Sequence, residues 1–491
     1  MFQTLRTPLW LAATSVTLAA CAAPVTPAVP PAGPVSRGRD PGPAATPLVP
    51  SAPAVRTSPL PVASASPPPP GRALDSPIRP LPGGLDEVAV FNSNNPELLR
   101  ESGVLLSTFA GGGVHLNHPF AGAFEVFLHH LAETAFMDGN DTCWLGLLAR
   151  NDGQRPSNLE LKAGVSWLTG PDAPFIDLDP LVSDPRGEVY SGPGDRVALD
   201  FLLGRSNLTR ETFALAAGET KLLFNQPIPA KNFGLPSRNG RSGLFRFQVD
   251  QPIKLAAVAL FGRASDKPDR QAFQALLDAG KRAAPAERAA TAYEPGQPPT
   301  GGSFIYGRVG GVSLGSRWTG TLFNRASEVL SSAGSSVGFP IASLALNTLG
   351  SRQNQSPRMV VRYPESPPEA HGSYGVTYDL TIPLDNPEGT SRRYAIALSH
   401  PLRIPENQAG APSYAPTPGK LVTFRGSLQL DWDDERQQPR RTQVHLVLRQ
   451  GERGTPFETV TVAPGGRTDA RLRLVYPADC TPPQLLTVTR L

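Results

Sequence analysis

The sequence predicts an all-β fold of two β-sandwich-like domains, with one helix at the end of the first and a disordered Pro-rich tether ahead of them. Three observations carry this. Apolar and polar residues alternate at period two in run after run, one stretch alone keeps helical spacing, and Pro, Ala and Ser crowd the N-terminal part. Strict alternation buries one face of a strand and leaves the other to solvent, the pattern of sandwiches and barrels.

The chain opens with Arg6 and an apolar run from Leu9 to Thr17, far too short to span a bilayer. Leu18-Ala19-Ala20-Cys21 closes it and resembles the lipobox of bacterial lipoproteins. On that reading residues 1–20 are a signal peptide, Cys21 is the lipidation site, and the protein is membrane-anchored in the cell envelope. Multiple acyl chains hold a membrane firmly where one does not. Ala22 in place of Asp after the Cys points to the outer membrane, on its periplasmic or its surface side. The alternative is that Ala20-Cys21-Ala22 is a small-x-small cleavage site, which would release a soluble protein.

Residues 21–81 read as the tether, with Pro67-Pro68-Pro69-Pro70 near its end. Such a composition cannot bury enough apolar surface to offset its ordering entropy. At about 3.1 Å per residue the extended tether reaches on the order of 180 Å. A PxxP ligand is the lesser reading of the same residues. The formal net charge of +4 resides in Arg6 and in the tether, where five arginines face Asp40 and Asp75. The folded part is left near neutral, with no basic stripe and no nucleic-acid module, so no nucleic-acid partner is expected.

The remaining chain, about 410 residues, exceeds what one core serves. Strands are expected where Tyr374, Val376, Tyr378, Leu380, Ile382 and Leu384 alternate with polar residues. The same holds for 422–432, 444–448 and 470–476. Asp266 and Pro268 open the one convincing helix, in which Phe273, Leu276, Leu277 and Gly280 keep helical spacing and Ala-rich sequence runs on to Pro285. Shorter helical turns are expected at Pro96 and near Asp195. The Pro/Gly-rich stretch 294–302 reads as a linker between a first β domain, 82–293, and a second, 303–491. No tandem repeat of fixed period is visible.

Several stretches resemble one family. Pro82-Gly83-Gly84-Leu85, Ala89-Val90-Phe91-Asn92-Ser93-Asn94 and Leu105-Leu106-Ser107-Thr108-Phe109 are similar to its opening. HLNHPFAGAFEVFLHH (115–130), PDAPFIDLDP (171–180) and VYSGPGDRV (189–197) are similar to its middle, and IYGRVGGVSLGSRW (305–318) and AHGSYGVTYDLTIPL (370–384) to its second half. It is an uncharacterised domain-of-unknown-function family of exported proteins, chiefly cyanobacterial, and the resemblance spans nearly all of 82–491. It implies no activity and no catalytic residues. His118 stands where the family's first motif carries an aromatic, which speaks against a metal pair there.

Candidate chemistry is sparse. His115, His118, His129 and His130 are of a type that binds Zn or Cu. Yet glycines before and Pro119 after disfavour a helix that would align the first two. In a strand His129 and His130 face opposite ways, with Glu125 and His129 about 13 Å apart. Asp172, Asp177, Asp179, Asp184, Glu188 and Asp195 form an acidic stretch that could wrap Ca²⁺, as could residues 138–141, without EF-hand spacing. Gly311-Val312-Ser313-Leu314-Gly315 matches GxSxG, but its flanks read as strands and its glycines as hairpin turns rather than a nucleophile elbow. The charged stretch 431–441 reads as a hairpin tip. Cys143 and Cys480, left once Cys21 is lipidated, are an even pair in an oxidising compartment, open to a disulfide or to burial as thiols. Trp167, Tyr190, Tyr306 and Trp318 sit near Gly- or Pro-rich turns as a candidate binding platform.

The reading favours a non-catalytic, lipid-anchored envelope protein, a structural or binding module for wall polymer, exopolysaccharide or a protein partner. No cofactor is expected beyond Ca²⁺. The alternative is an envelope hydrolase using clustered carboxylates or a His-bound metal.

Overall fold

Alternation in the sequence becomes strand register in the structure. The computed structural model describes residues 78–134, 141–231, 238–283, 289–294, 305, 307–403 and 411–491. Cys21, residues 21–77 of the expected tether, Tyr306, residues 138–140 and most of the expected linker lie outside the described residues, whereas Ile78 and Leu81, assigned to the tether, are buried in the fold.

In the first half the strands are β1 (Gly84–Leu85), β2 (Ala89–Leu99), β3 (Gly103–Ser107), β4 (Phe120–Glu133), β5 (Thr142–Arg150), β6 (Ser157–Leu168) and β7 (Leu181–Ser183). Helix α1 (Pro193–Leu202) follows, then β8 (Thr212–Leu215), β9 (Thr220–Pro229), β10 (Arg238–Gly262) and helix α2 (Arg270–Ala279). The second half begins with β11 (Val309–Leu314), β12 (Arg317–Thr321), helix α3 (Ala326–Val329), β13 (Ser336–Ile341) and β14 (Arg358–Arg362). It continues with β15 (Thr377–Asp385), β16 (Arg392–Ser399), β17 (Val422–Asp433), β18 (Pro439–Arg449), β19 (Glu458–Val462), β20 (Arg467–Val475) and β21 (Gln484–Arg490).

The first sandwich is organised by β10. Its N-terminal half pairs with β4 and β6, its C-terminal half with β3 and β5. Pairing with β4 breaks between Val249 and Ile253. Pro252 lies in that break, where it forfeits no ladder hydrogen bond and the strand can bend from one layer into the next. Phe91, Phe124, Val126, Leu147, Phe245 and Phe247 fill the space between the layers.

In the second sandwich a seven-stranded sheet, β1-β12-β15-β20-β17-β18-β7, faces a four-stranded one, β13-β21-β16-β19. Tyr378, Leu380, Ile382 and Leu384 point inward from β15 and meet Leu472, Leu428 and Val488. The all-β fold and its two sandwich cores stand as expected. The halves, however, exchange strands. β11 and β14 extend the first half's sheet through β2, while β1 and β7 pair with β12 and β18 of the second.

Local expectations fare unevenly. Helix α2 forms behind Pro268, with Asp269 as N-cap accepting from Ala272 N at 2.9 Å. It stops at Gly280, whose φ of 62° is left-handed, rather than running on toward Pro285. The turn near Asp195 is a full helix, α1. Pro96, expected in a helical turn, lies within β2, where pairing with β4 shifts between Asn95 and Leu98. Gly310 and Gly311 are not a hairpin turn. They lie inside β11, because a side chain at Gly311 would collide with the Val361 carbonyl of β14. The tip of the β17–β18 hairpin carries the charged stretch as read, with Arg440 on Asp434 and Arg441 on Asp431.

Candidate functional site

Trp167 reaches its place through an irregularity in β6. The register of β6 against β10 shifts between Leu161 and Ala163. Leu159 and Leu161 therefore stay in the first core, while Val165 and Trp167 turn to the outer face. Helix α1 packs on that face through Val197, Ala198 and Phe201. One turn of the helix presents Arg196 and Asp200 at i and i+4. The Arg196 guanidinium carbon lies 3.5 Å from the Trp167 ring centroid and 4.5 Å from that of Tyr190. Trp167 Nε1 donates to Asp200 Oδ2 at 2.9 Å, and the Tyr190 hydroxyl donates to the Asp172 carbonyl at 3.2 Å, which Arg196 also meets. The three side chains are half-buried. A cation between two rings, each ring pinned by its polar end, is a rigid amphipathic surface.

The other expected platform residue among those described behaves differently. Trp318 is buried, stacks on Tyr378 at 6.3 Å and donates to the Pro82 carbonyl at 3.0 Å. It is a core residue. Arg196, which joins the two aromatics, was not singled out from sequence. Its signal was the i, i+4 pair with Asp200, hidden because Gly192-Pro193-Gly194 reads as loop.

The expected metal ligands do not converge. His115 Nδ1 hydrogen-bonds Ser107 Oγ at 2.8 Å and the ring stacks on Phe109, while His118 lies edge-on to Phe120. His129 bonds Ser242 Oγ at 2.8 Å, and burial lowers its imidazole to about 4. His130, on the opposite face, bonds Ser93 Oγ at 3.1 Å inside the core. Asp177 is exposed, 3.6 Å from Arg449, and Asp179 is exposed as well. Asp184 is buried and accepts from Glu188 N at 2.8 Å and Val189 N at 3.1 Å, so it shapes a turn. Among the described residues no three His, Cys, Asp or Glu side chains gather as a metal site.

Cys143 and Cys480 are both free and buried. They cannot staple the halves, because Cys143 belongs to the first core and Cys480 to the second. The Cys480 thiol donates to the Arg425 carbonyl at 3.3 Å, and burial pushes both thiols far above their usual range.

A family model described as a protein of unknown function, DUF3370, matches residues 76–490. The chain belongs to this family. No curated protein matches it. The match takes in both sandwiches and α1 between them, so the interlocked pair is what the family model spans.

Two further polar groups of the family domain lie where α1 meets the second half; of their residues Asp195 was expected in an acidic loop, while His445 and Asp479 were not foreseen. His445 Nε2 lies 2.7 Å from Asp195 Oδ2, both fully buried, and Asp195 also accepts from Ser191 N at 2.8 Å. Asp479 accepts from Gly194 N at 2.7 Å, and burial pushes its carboxyl up to about 6. His445 occupies an outward position of β18, which alternation assigns to solvent. Its partner lies 250 residues away. Nearby, a cleft lined by Asn92, Glu125, Ser313, His371 and Tyr374 separates the halves. Burial pushes the Glu125 carboxyl up to about 7 even though Arg246 bonds its Oε1 at 2.6 and 2.9 Å. The cleft has a volume of only about 10 Å³. That is room for roughly one water and not for a sugar.

Proposed function

We propose that the protein is a non-catalytic binding module of the cell envelope, anchored through Cys21 and projecting its folded part on the 21–81 tether toward a wall polymer or exopolysaccharide. The observation supporting this is the Trp167–Arg196–Tyr190 stack. Rings held in one rotamer lose little entropy when a sugar face lies against them. The Glu125 cleft holds the group best tuned for acid catalysis, yet its volume admits no glycan, and this weighs against the hydrolase reading.

The test is co-sedimentation of the full chain with isolated sacculi and with exopolysaccharide, in Ca²⁺ and in chelator. Saturable pelleting is expected, falling roughly tenfold in affinity for Trp167→Ala, the loss of one stacked aromatic anchor. Tyr190→Ala, checked for folding by circular dichroism, should fall in parallel. Pelleting that ignores both substitutions would sink the aromatic site. The absence of pelleting in either condition would sink the polymer reading and leave a protein partner.

A further inference from the structure

The outward side of the seven-stranded sheet has two regions. Near its β7 end α1 covers Val475 and His445. Beyond α1 the same face carries a ladder of charges. Asp379 on β15 is held by Arg317 at 2.8 Å and by both forks of Arg471 at 2.6 Å. Asp431 on β17 is held by Arg441 at 2.5 Å and Arg473 at 2.9 Å. The ion pairs run diagonally to the register, in which Asp379 on β15 lies opposite Arg473 of β20 and Asp431 on β17 lies opposite Arg471. Each carboxylate is thus shared by two guanidinium groups, and each such unit keeps one unbalanced positive charge.

The ladder runs along β20 toward a cavity. Arg467, four residues before Arg471 and about 13 Å along the strand, lines it together with Arg325, Asp385, Asn386, Pro387, Gly465 and Gly466. The cavity measures about 290 Å³. Its floor is tied by Asn386 N donating to the Gly466 carbonyl at 2.9 Å. Among the described residues Arg325 is anchored through Nε, at 3.0 Å from Asp385 Oδ2, and Asp385 is further held by Ser327 N and Oγ. Arg467 meets Asp469 through Nε and one terminal nitrogen. Among the described residues each guanidinium is therefore fixed in place by one carboxylate, with terminal N–H groups left over on a half-exposed side chain. This is how arginine is preorganised for a planar oxyanion. Among the described residues no aromatic lines the cavity, so a nucleobase would find no ring there to stack on.

We propose that this cavity and the arginine ladder form one binding track for an acidic polysaccharide, with a sugar oxyanion, carboxylate or sulfate, seated between Arg325 and Arg467 and further acidic groups meeting Arg471, Arg473, Arg317 and Arg441. The track rests on the reading of the protein as a polymer-binding module and names the polymer's charge. It also revises the inference from net charge. A near-neutral fold still presents a positive strip when its arginines share carboxylates on one face.

The experiment is affinity electrophoresis of the full chain through gels containing polygalacturonate, dextran sulfate or neutral dextran, with single-stranded DNA as competitor. Retardation by one or both acidic glycans and not by dextran is expected, weakening as salt rises. Arg325→Gln with Arg467→Gln should weaken it by roughly tenfold or more, and Arg467→Glu should do the same by charge reversal. Both sites are exposed, so circular dichroism should remain unchanged. Retardation by dextran alone that depends on Trp167 would overturn the track and leave the binding-module reading intact. Retardation unaffected by the arginine variants, or equal competition by DNA, would also overturn it. Loss of binding to every glycan would remove both.

Discussion

Glu125 shows how a single buried group records the packing around it. Alternation in β4 places it on the face opposite Phe124 and Val126, and the sequence alone assigns that face to water. In the structure it is 2% exposed, because the second half and α1 cover the sheet. Burial raises the carboxyl to about 7, above its ordinary 4.5. A raised acid contributes stability that is fully present below its ordinary value and is lost as pH rises through the folded one. The window is therefore about pH 4.5 to 7. Glu125→Gln stays neutral and should gain stability relative to the parent across that window. Urea midpoints of both proteins at about pH 4.5, 6 and 8 would measure it. The buried histidines His129, His371 and His400, lowered to about 4, act in the opposite sense but are common to both proteins and cancel in the difference. Parallel profiles would mean that Glu125 ionises freely. The residues were legible here, but the layer that perturbs them was not, since α1 and the second half come from far downstream in the chain.

Helices α1 and α2 mark the range of what an element discloses. Helix α2 was legible because it lies on the outside of the first sandwich with one apolar stripe. Phe273 and Leu277 pack on Val104, Trp144 and Val258 with Leu276 at the margin, and the opposite face meets solvent. Its ends are written in Asp269 and Gly280. Phe273→Ala should cost about 3–5 kcal/mol as a fully buried aromatic, and Asp269→Ala about 1 kcal/mol as a lost cap. Thermal or urea unfolding would separate the two, and similar small losses for both would mean that α2 is only loosely docked. Helix α1 was not legible at its true length. It is covered on two sides, by the first sandwich through Phe127 and Leu244 and by the second through Val475, so its burial follows no single stripe. Its opening Gly-Pro-Gly resembles a turn. Within β11 it is the paired strand β14 that selects glycine at Gly311, where its backbone approaches too closely for a side chain, and this places GxSxG in a strand rather than an elbow.

At the scale of the whole molecule the two cores were legible, because each is assembled from strands that alternate regardless of their partners. The exchange of strands was not, because period-two patterning states which face is buried and never which edge is paired. Its consequences are energetic. Without the second half, β2 loses β11 as its neighbour, and the apolar surface of Val90, Phe127 and Leu244 loses Val475. Without the first half, β12 loses β1, β18 loses β7, and the carboxylates and imidazole around α1 lose one another. Unpaired edges and uncovered apolar faces favour aggregation over independent folding. Residues 74–300 and 301–491 produced separately should therefore be insoluble or lack a cooperative unfolding transition. Produced together as two chains they should associate and unfold as one unit, because both belong to a single compact unit. Size-exclusion chromatography and a single calorimetric transition would establish this. Two fragments that each fold alone, with independent transitions, would show that the exchanged strands decorate the sandwiches rather than complete them, and that the surfaces proposed to bind polymer on the two halves act without a fixed relation to each other.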